Sequence, residues 1–199
     1  MTQSPRPDER RSPNPGPKAA ARNRAALIAA AREIYAEHGL GAPLSAIARR
    51  AGVGQGVLYR HFPDRAAVAA AVLEENVREV EQAAAAEGAT FEDALGVLSW
   101  HLTESSAFIS LLHADEAHRR AGTSGTHEYA RALSGRVERA LRGRLRPGHR
   151  LAAADGLMLA VAMVSGAVTG PTREEREDRV RAAWRLLAVE VGPVRPFAR

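Results

Sequence analysis

LSAIARRAGVGQGVLYRHFPDR, residues 44–65, is the stretch on which the fold turns. Leu44, Ile47, Ala48 and Ala51 recur at i, i+3, i+4 and i+7, which gives a short helix one narrow apolar face and leaves Ser45, Arg49 and Arg50 off it. Gly52 follows at once. A glycine just past the last periodic residue takes the left-handed conformation that ends a helix, and Val53 then plugs the corner. From Gln55 to Phe62 the apolar residues are Val57, Leu58 and Phe62, so Gln55, Gly56, Tyr59 and Arg60 occupy the outward and leading side of a second short helix. Two short helices crossing at a glycine turn are a helix-turn-helix, whose second member is shaped to enter a DNA major groove.

Outward from this stretch the periodicity stays helical. Leu27, Ala31, Ile34, Tyr35 and His38 predict a helix over 18–38, closed by Gly39 and Gly41, which supplies a third wall for the two short helices. His38 reads as a residue that satisfies the last carbonyls of that helix rather than as a ligand. Downstream, Pro63 and Asp64 make a stop and a cap. A long helix over 65–86 follows, with Val68, Val72, Asn76, Val77 and Val80 as its stripe, and it is the only covalent link between reader and body.

The run from Leu27 to Val68, with LIAAAREIYAEHG ahead of IARRAGVGQGVLYRHFPDR, resembles the DNA-binding domain of TetR-family transcriptional regulators. The match is in order and without gaps, and covers about the N-terminal third of the chain. Pro43 and Gly54 depart from the resembled pattern, which usually places Ser or Thr at these two helix starts. Neither offers a capping oxygen. The resemblance implies an all-α protein of about nine helices. It also implies a basic residue at Arg65 that clamps the DNA backbone together with Ser45, and a dimer interface built from the last two long helices.

Composition agrees with a nucleic-acid module on a near-neutral body. Residues 1–65 hold 11 Lys+Arg against 5 Asp+Glu, whereas residues 66–199 hold 17 against 18. A plain abundance of arginine accounts for part of that split. Cysteine is absent, which excludes disulfides and thiolate chemistry. Residues 1–17 are polar and Pro-rich, with no apolar core behind their charges. They read as a disordered arm without a signal peptide, whose Arg10 and Arg11, with Lys18, either brush DNA or are simply solvated. The cytoplasm is the expected compartment.

The organisation expected is an arm over 1–17, a DNA-binding domain over 18–64, a ligand-binding and dimerisation domain over 65–192, and a frayed tail over 193–199. Beyond residue 90 the pattern predicts helices over 91–105, 107–120, 127–144, 151–170 and 173–191, with AGTSGT at 121–126 as a loop. Residues 151–170 are almost wholly apolar. Asp155 and many small residues argue against a membrane span and for a buried helix. Gly156, Ala160, Ala162, Gly166 and Ala167 permit close helix approach, and a homodimer through 151–170 and 173–191 is the expected partnership.

At the reader, base-edge recognition falls to Gln55, whose amide can pair bidentately with adenine. Gly56 and Gly54 bring the backbone near the groove, and Val57 can meet a thymine methyl. Tyr59, Arg60 and His61 lie on the next turn, where phosphate contact is expected. In the body, Trp100, His101, Phe108, His113, Met158 and Trp184 are candidates for lining an effector cavity, with the histidines as polar anchors and core packing as the alternative for each. No cofactor, metal or catalytic residue is expected. GVGQG lacks the strand and acidic partner of a phosphate-cradling loop. His113, Asp115, Glu116 and His118 offer metal-compatible i, i+3 pairs, but read more simply as a solvated face. The combined reading is a ligand-responsive regulator, a repressor released from a pseudo-palindromic double-stranded DNA operator by a small molecule. Two other readings stay open: an architectural DNA binder that senses nothing, and a helical enzyme or metal-binding protein.

Overall fold

A computed structural model describes residues 16–104, 124–153 and 155–197. Among these there are eight α-helices, one 3-10 turn and no strand: α1 (Pro17–His38), α2 (Leu44–Arg50), α3 (Gln55–His61), α4 (Arg65–Ala85), α5 (Phe91–Glu104), α6 (Ser124–Arg142), the 3-10 turn (Arg150–Ala152), α7 (Gly156–Ala167) and α8 (Arg173–Leu186). The helix expected over 107–120, most of the N-terminal arm, Phe108, and the 113–118 His/Asp/Glu run lie outside the described residues.

Two apolar cores share one helix. Leu27, Ile34 and Tyr35 of α1 meet Ile47, Leu58, Phe62, Val68 and Val72 in the first. Val77, Val80, Ala83 and Ala84 of the same α4 meet α5 to α8 in the second. The boundary expected at residue 64 is therefore a boundary in sequence only, because the first two turns of α4 belong to the reader's core. Asp64 caps α4, its Oδ1 accepting the Ala67 amide at 2.8 Å. Glycine at 52 takes φ +68°, the left-handed step that lets α2 stop and α3 start across it.

The body is built around α5, buried from Ala94 to Thr103. A reciprocal cap starts it: the Asp93 amide donates to Thr90 Oγ1 at 3.1 Å and the Thr90 amide to Asp93 Oδ2 at 3.0 Å. α6 is held to α4 by charge. Arg136 donates to Glu74 and, at 2.8 and 2.6 Å, to both oxygens of Glu81.

Four expectations are corrected here. Residues 124–126, expected as loop, already belong to α6. The single helix expected over 151–170 is a 3-10 turn, a bend and then the twelve-residue α7, because the His149 side chain accepts the Leu151 amide at 3.1 Å and starts a separate turn. Nor is α7 buried all round, since Leu159 and Met163 are both 57% exposed. The last helix ends at Leu186 instead of Val191. Ala188 adopts φ 49°, and the Val189 amide reaches back to the Trp184 carbonyl at 3.0 Å, which turns Val189 into the core.

The tail expected to fray is packed as far as Phe197. The Gly192 amide donates to the Glu92 carbonyl at 2.8 Å, Val194 is buried, and Phe197 leans on the body core. Gly96, in the middle of α5, makes room for this strap: a Cβ there would sit 2.5 Å from the Pro193 carbonyl oxygen. Alanine would gain roughly 1 kcal/mol of helix propensity. The overpacking it forces costs about 1–3 kcal/mol, so the clash wins. Gly96→Ala is accordingly expected to destabilise the body and speed hydrogen exchange at the Gly192 amide, read by NMR. Unchanged protection there contradicts the strap.

Candidate nucleic-acid interface

The reader is a rigid three-helix unit before it is anything else. Arg50 of α2 is forked onto α1, 2.7 Å from Glu33 and 2.9 Å from Glu37. That hydrogen bond holds the Glu37 carboxyl below its usual range, and the two carboxylates hold the Arg50 proton more tightly still. Arg50 is thus committed internally. Arg49 beside it is exposed, and its guanidinium has no hydrogen bond or ion pair among the described residues. Its place off the apolar face of α2 is the only sign of it in the sequence.

α3 buries Leu58 and presents the rest. Gln55, Gly56 and Arg60 are exposed, Tyr59 is 54% exposed, and Val57 and His61 are half-buried. The Tyr59 ring therefore lies outside the core. Phe62 closes the helix from inside, covered by the Arg24 guanidinium 5.4 Å from its ring centroid. Seven residues at 1.5 Å per residue make α3 about 10 Å long, a length that a major groove about 12 Å wide accepts. Ser45, exposed near the start of α2, flanks it.

Arg65 behaves differently from the other candidates. Its guanidinium donates to the carbonyls of Leu40, at 2.7 Å, and Ala42, and so ties the α1–α2 loop to the start of α4. The same cation opposes the effect of burial on the Tyr35 hydroxyl, which burial pushes up. A guanidinium held by two carbonyls is a structural staple first, and a phosphate contact by Arg65 needs that staple to open or share.

In the body the candidate lining residues do not form one group. Trp184 is fully buried, its indole N–H donating to Ser99 Oγ at 2.9 Å. Trp100 and His101 sit together instead, ring centroids 4.9 Å apart and edge to face, toward α1 and α4. Met158 is half-buried against the core. Phe108 and His113 lie outside the described residues. A surface hollow of about 380 Å³ between α1 and α4 is lined by Ile28, Arg32, Glu75 and Glu79, and by none of the six candidates. No group of three or more His, Asp or Glu among the described residues is placed to hold a metal, and no helix among them is long and apolar enough to cross a membrane.

The family model for bacterial regulatory proteins of the tetR family matches residues 27–72. These are the residues from the middle of α1 through Val72, the whole core of the reader. The structure is similar in fold to a TetR transcriptional regulator of Streptomyces coelicolor, at 23% identity and a TM-score of 0.56, covering 88% of this chain and 99% of that one. A TetR transcription regulatory protein of Mycobacterium vanbaalenii is 31% identical, covering 86% of this chain and 97% of its own, at a TM-score of 0.45. No curated protein matches the chain. The match to the family model spans the whole core of the reader, and the Streptomyces regulator shares the helical fold of reader and body: residues 27–72 are a DNA-binding domain of the tetR type, carried on a helical body of that fold.

Proposed function

We propose that the protein is a dimeric repressor whose two α3 helices read the half-sites of a pseudo-palindromic operator and leave it when the body takes up a small molecule. The observation that carries this reading is the division of α3 itself: Leu58 is inside, while an amide, a phenol and a guanidinium stand free on the leading face. Gln55, the first residue of the helix, reads a base edge. Tyr59, Arg60 and His61, together with Ser45 and Arg49, contact phosphates, and Gly56 and Val57 lie against the groove. One short helix gives little affinity, so two are needed, and the apolar stripe on α7 supplies the pairing surface. Release follows from α4, which belongs to both cores: a molecule that favours one arrangement of the body shifts the population of reader orientations.

Selection of bound fragments from random DNA tests the reading. A symmetric consensus supports it, binding with no consensus favours an architectural role, and no binding removes it. On the selected operator, Gln55→Ala is expected to cost about 1–3 kcal/mol if the contact is bidentate, with binding to random DNA nearly unchanged. Competition titrations measure both. An equal loss on the two DNAs would remove Gln55 from base reading.

A further inference from the structure

One side chain of the reader is committed to the body. Arg32 projects from α1, and both of its terminal nitrogens lie 3.1 Å from Oε1 of Glu79 on α4. Its guanidinium carbon stands 5.7 Å from the centre of the Trp100 ring on α5. The other Glu79 oxygen is 3.2 Å from Nε2 of the fully buried His101, whose ring meets the edge of Trp100. Four side chains from three helices thus make one polar joint. It sits on α4 just past the point where the reader's core ends, at Val72, and the body's begins, at Val77.

The chemistry of the joint differs from that of its surroundings. Apolar surfaces slide past one another at little cost, whereas a guanidinium whose two terminal nitrogens meet one carboxylate oxygen, over the face of an indole, is held in place by charge and by direction. Pulling it apart leaves a half-buried carboxylate and a guanidinium uncompensated. Burial, the largest single influence on Glu79, pushes its carboxyl up, but His101 and Arg32 together outweigh it and keep the group ionised. Burial also pushes the His101 imidazole down against the pull of Glu79, and so favours its neutral form. The joint therefore rests on one firm ion pair, Arg32 with Glu79, braced by two rings of α5.

We infer that Arg32, Glu79, Trp100 and His101 form a latch that fixes the angle at which the reader projects from the body. They are positioning residues and touch no DNA. The role they play in operator choice rests on the dimeric reading above, but the latch itself does not. A movement of α5 that displaces Trp100 or His101 unseats Arg32, and α1 then carries α2 and α3 to a new angle.

Two measurements separate the latch from the regulator. The chain has no cysteine, so Ala36→Cys on exposed α1 and Asp178→Cys on exposed α8 give one spin-label pair per chain, and this readout needs no DNA. The inter-label distance distribution is expected to be narrow with the native latch, to broaden in Arg32→Met and Glu79→Gln, and to narrow again in Arg32→Lys. An unchanged distribution in both disrupting variants overturns the latch. The second measurement compares a full selected operator with a single half-site and with operators whose half-sites are moved apart by one or two base pairs. Arg32→Met is expected to lose about tenfold on the full operator and less than about twofold on the half-site, and to flatten the preference for one spacing, because only paired binding depends on reader angle. Parallel loss on both duplexes means a merely structural role and overturns the proposal. If the native protein binds no duplex, the regulator reading falls, and the label distances still decide the latch.

Discussion

Trp184→Ala is expected to remove about 3–5 kcal/mol from the body, the largest effect of any single truncation in it. Trp184 is fully buried in the same apolar cluster as Leu95, Leu98 and Val180. Losing the indole opens a cavity that rigid helices on several sides cannot collapse into. It also strands the Ser99 hydroxyl, itself buried, which adds about 1–3 kcal/mol for an unmade hydrogen bond. Trp184→Phe keeps most of the volume and loses the bond, so the further loss in the alanine variant measures mainly packing. Chemical denaturation is the measurement. The alanine variant should show a lower midpoint with an unchanged slope. The reader's core is separate, so a reader-specific probe should move much less. A loss below about 1 kcal/mol would mean that Trp184 faces a space already empty, which returns it to the list of cavity-lining residues.

The reader was legible because its determinants are local. Four apolar positions at helical spacing, a glycine, and three more apolar positions fix two helices and a corner, and Ile47, Ala48, Leu58 and Phe62 are buried where that spacing puts them. The Asp64 cap follows from Pro-Asp in the sequence. Where the reading went astray, the cause lay far along the chain. GPVRPF looks unstructured alone, and its docking depends on a missing Cβ at Gly96, about a hundred residues earlier. The end of α8 was misplaced because nothing near Val191 shows that the chain turns at Ala188 to bury Val189. Thr90 with Asp93 was a readable capping pair that went unread.

The candidate sites divide the same way. Gln55 and Arg60 were separable from the core by helical phase alone. The staple from Arg65 to the carbonyls of Leu40 and Ala42 was not, because backbone acceptors leave no mark in sequence. In the body, aromatic content could not tell a core indole from a cavity wall, and Trp184 is the former. Trp100 and His101 were singled out, but their partners Arg32 and Glu79 were missed. The available signal was an arginine between Ile28 and Tyr35, on a face of α1 otherwise turned inward.

On the dimeric reading proposed above, Leu159→Glu with Met163→Glu should leave the protein monomeric and cost a full operator about 10²–10⁴ in affinity, with a half-site nearly unaffected. The two residues are one helical turn apart on α7, with Gly166 exposed at the next step of the same stripe and Leu186 on the adjoining α8 exposed to 88%. Large apolar side chains this bare, aligned along one helix, are a surface waiting to be covered. Small residues at 162 and 166 let a second copy approach closely, and across a two-fold axis the same stripe meets itself. Each introduced carboxylate then faces a like charge in a desiccated seam, so pairing fails, whereas in the lone chain the same carboxylates point to water and leave the fold intact. Sedimentation measures the mass, and thermal unfolding guards against a misfolded variant. A double variant that remains folded, paired and tight on the operator would put the pairing surface elsewhere. One that becomes monomeric yet holds the full operator as tightly as before would remove avidity from the mechanism, and leave a single α3 carrying all the affinity.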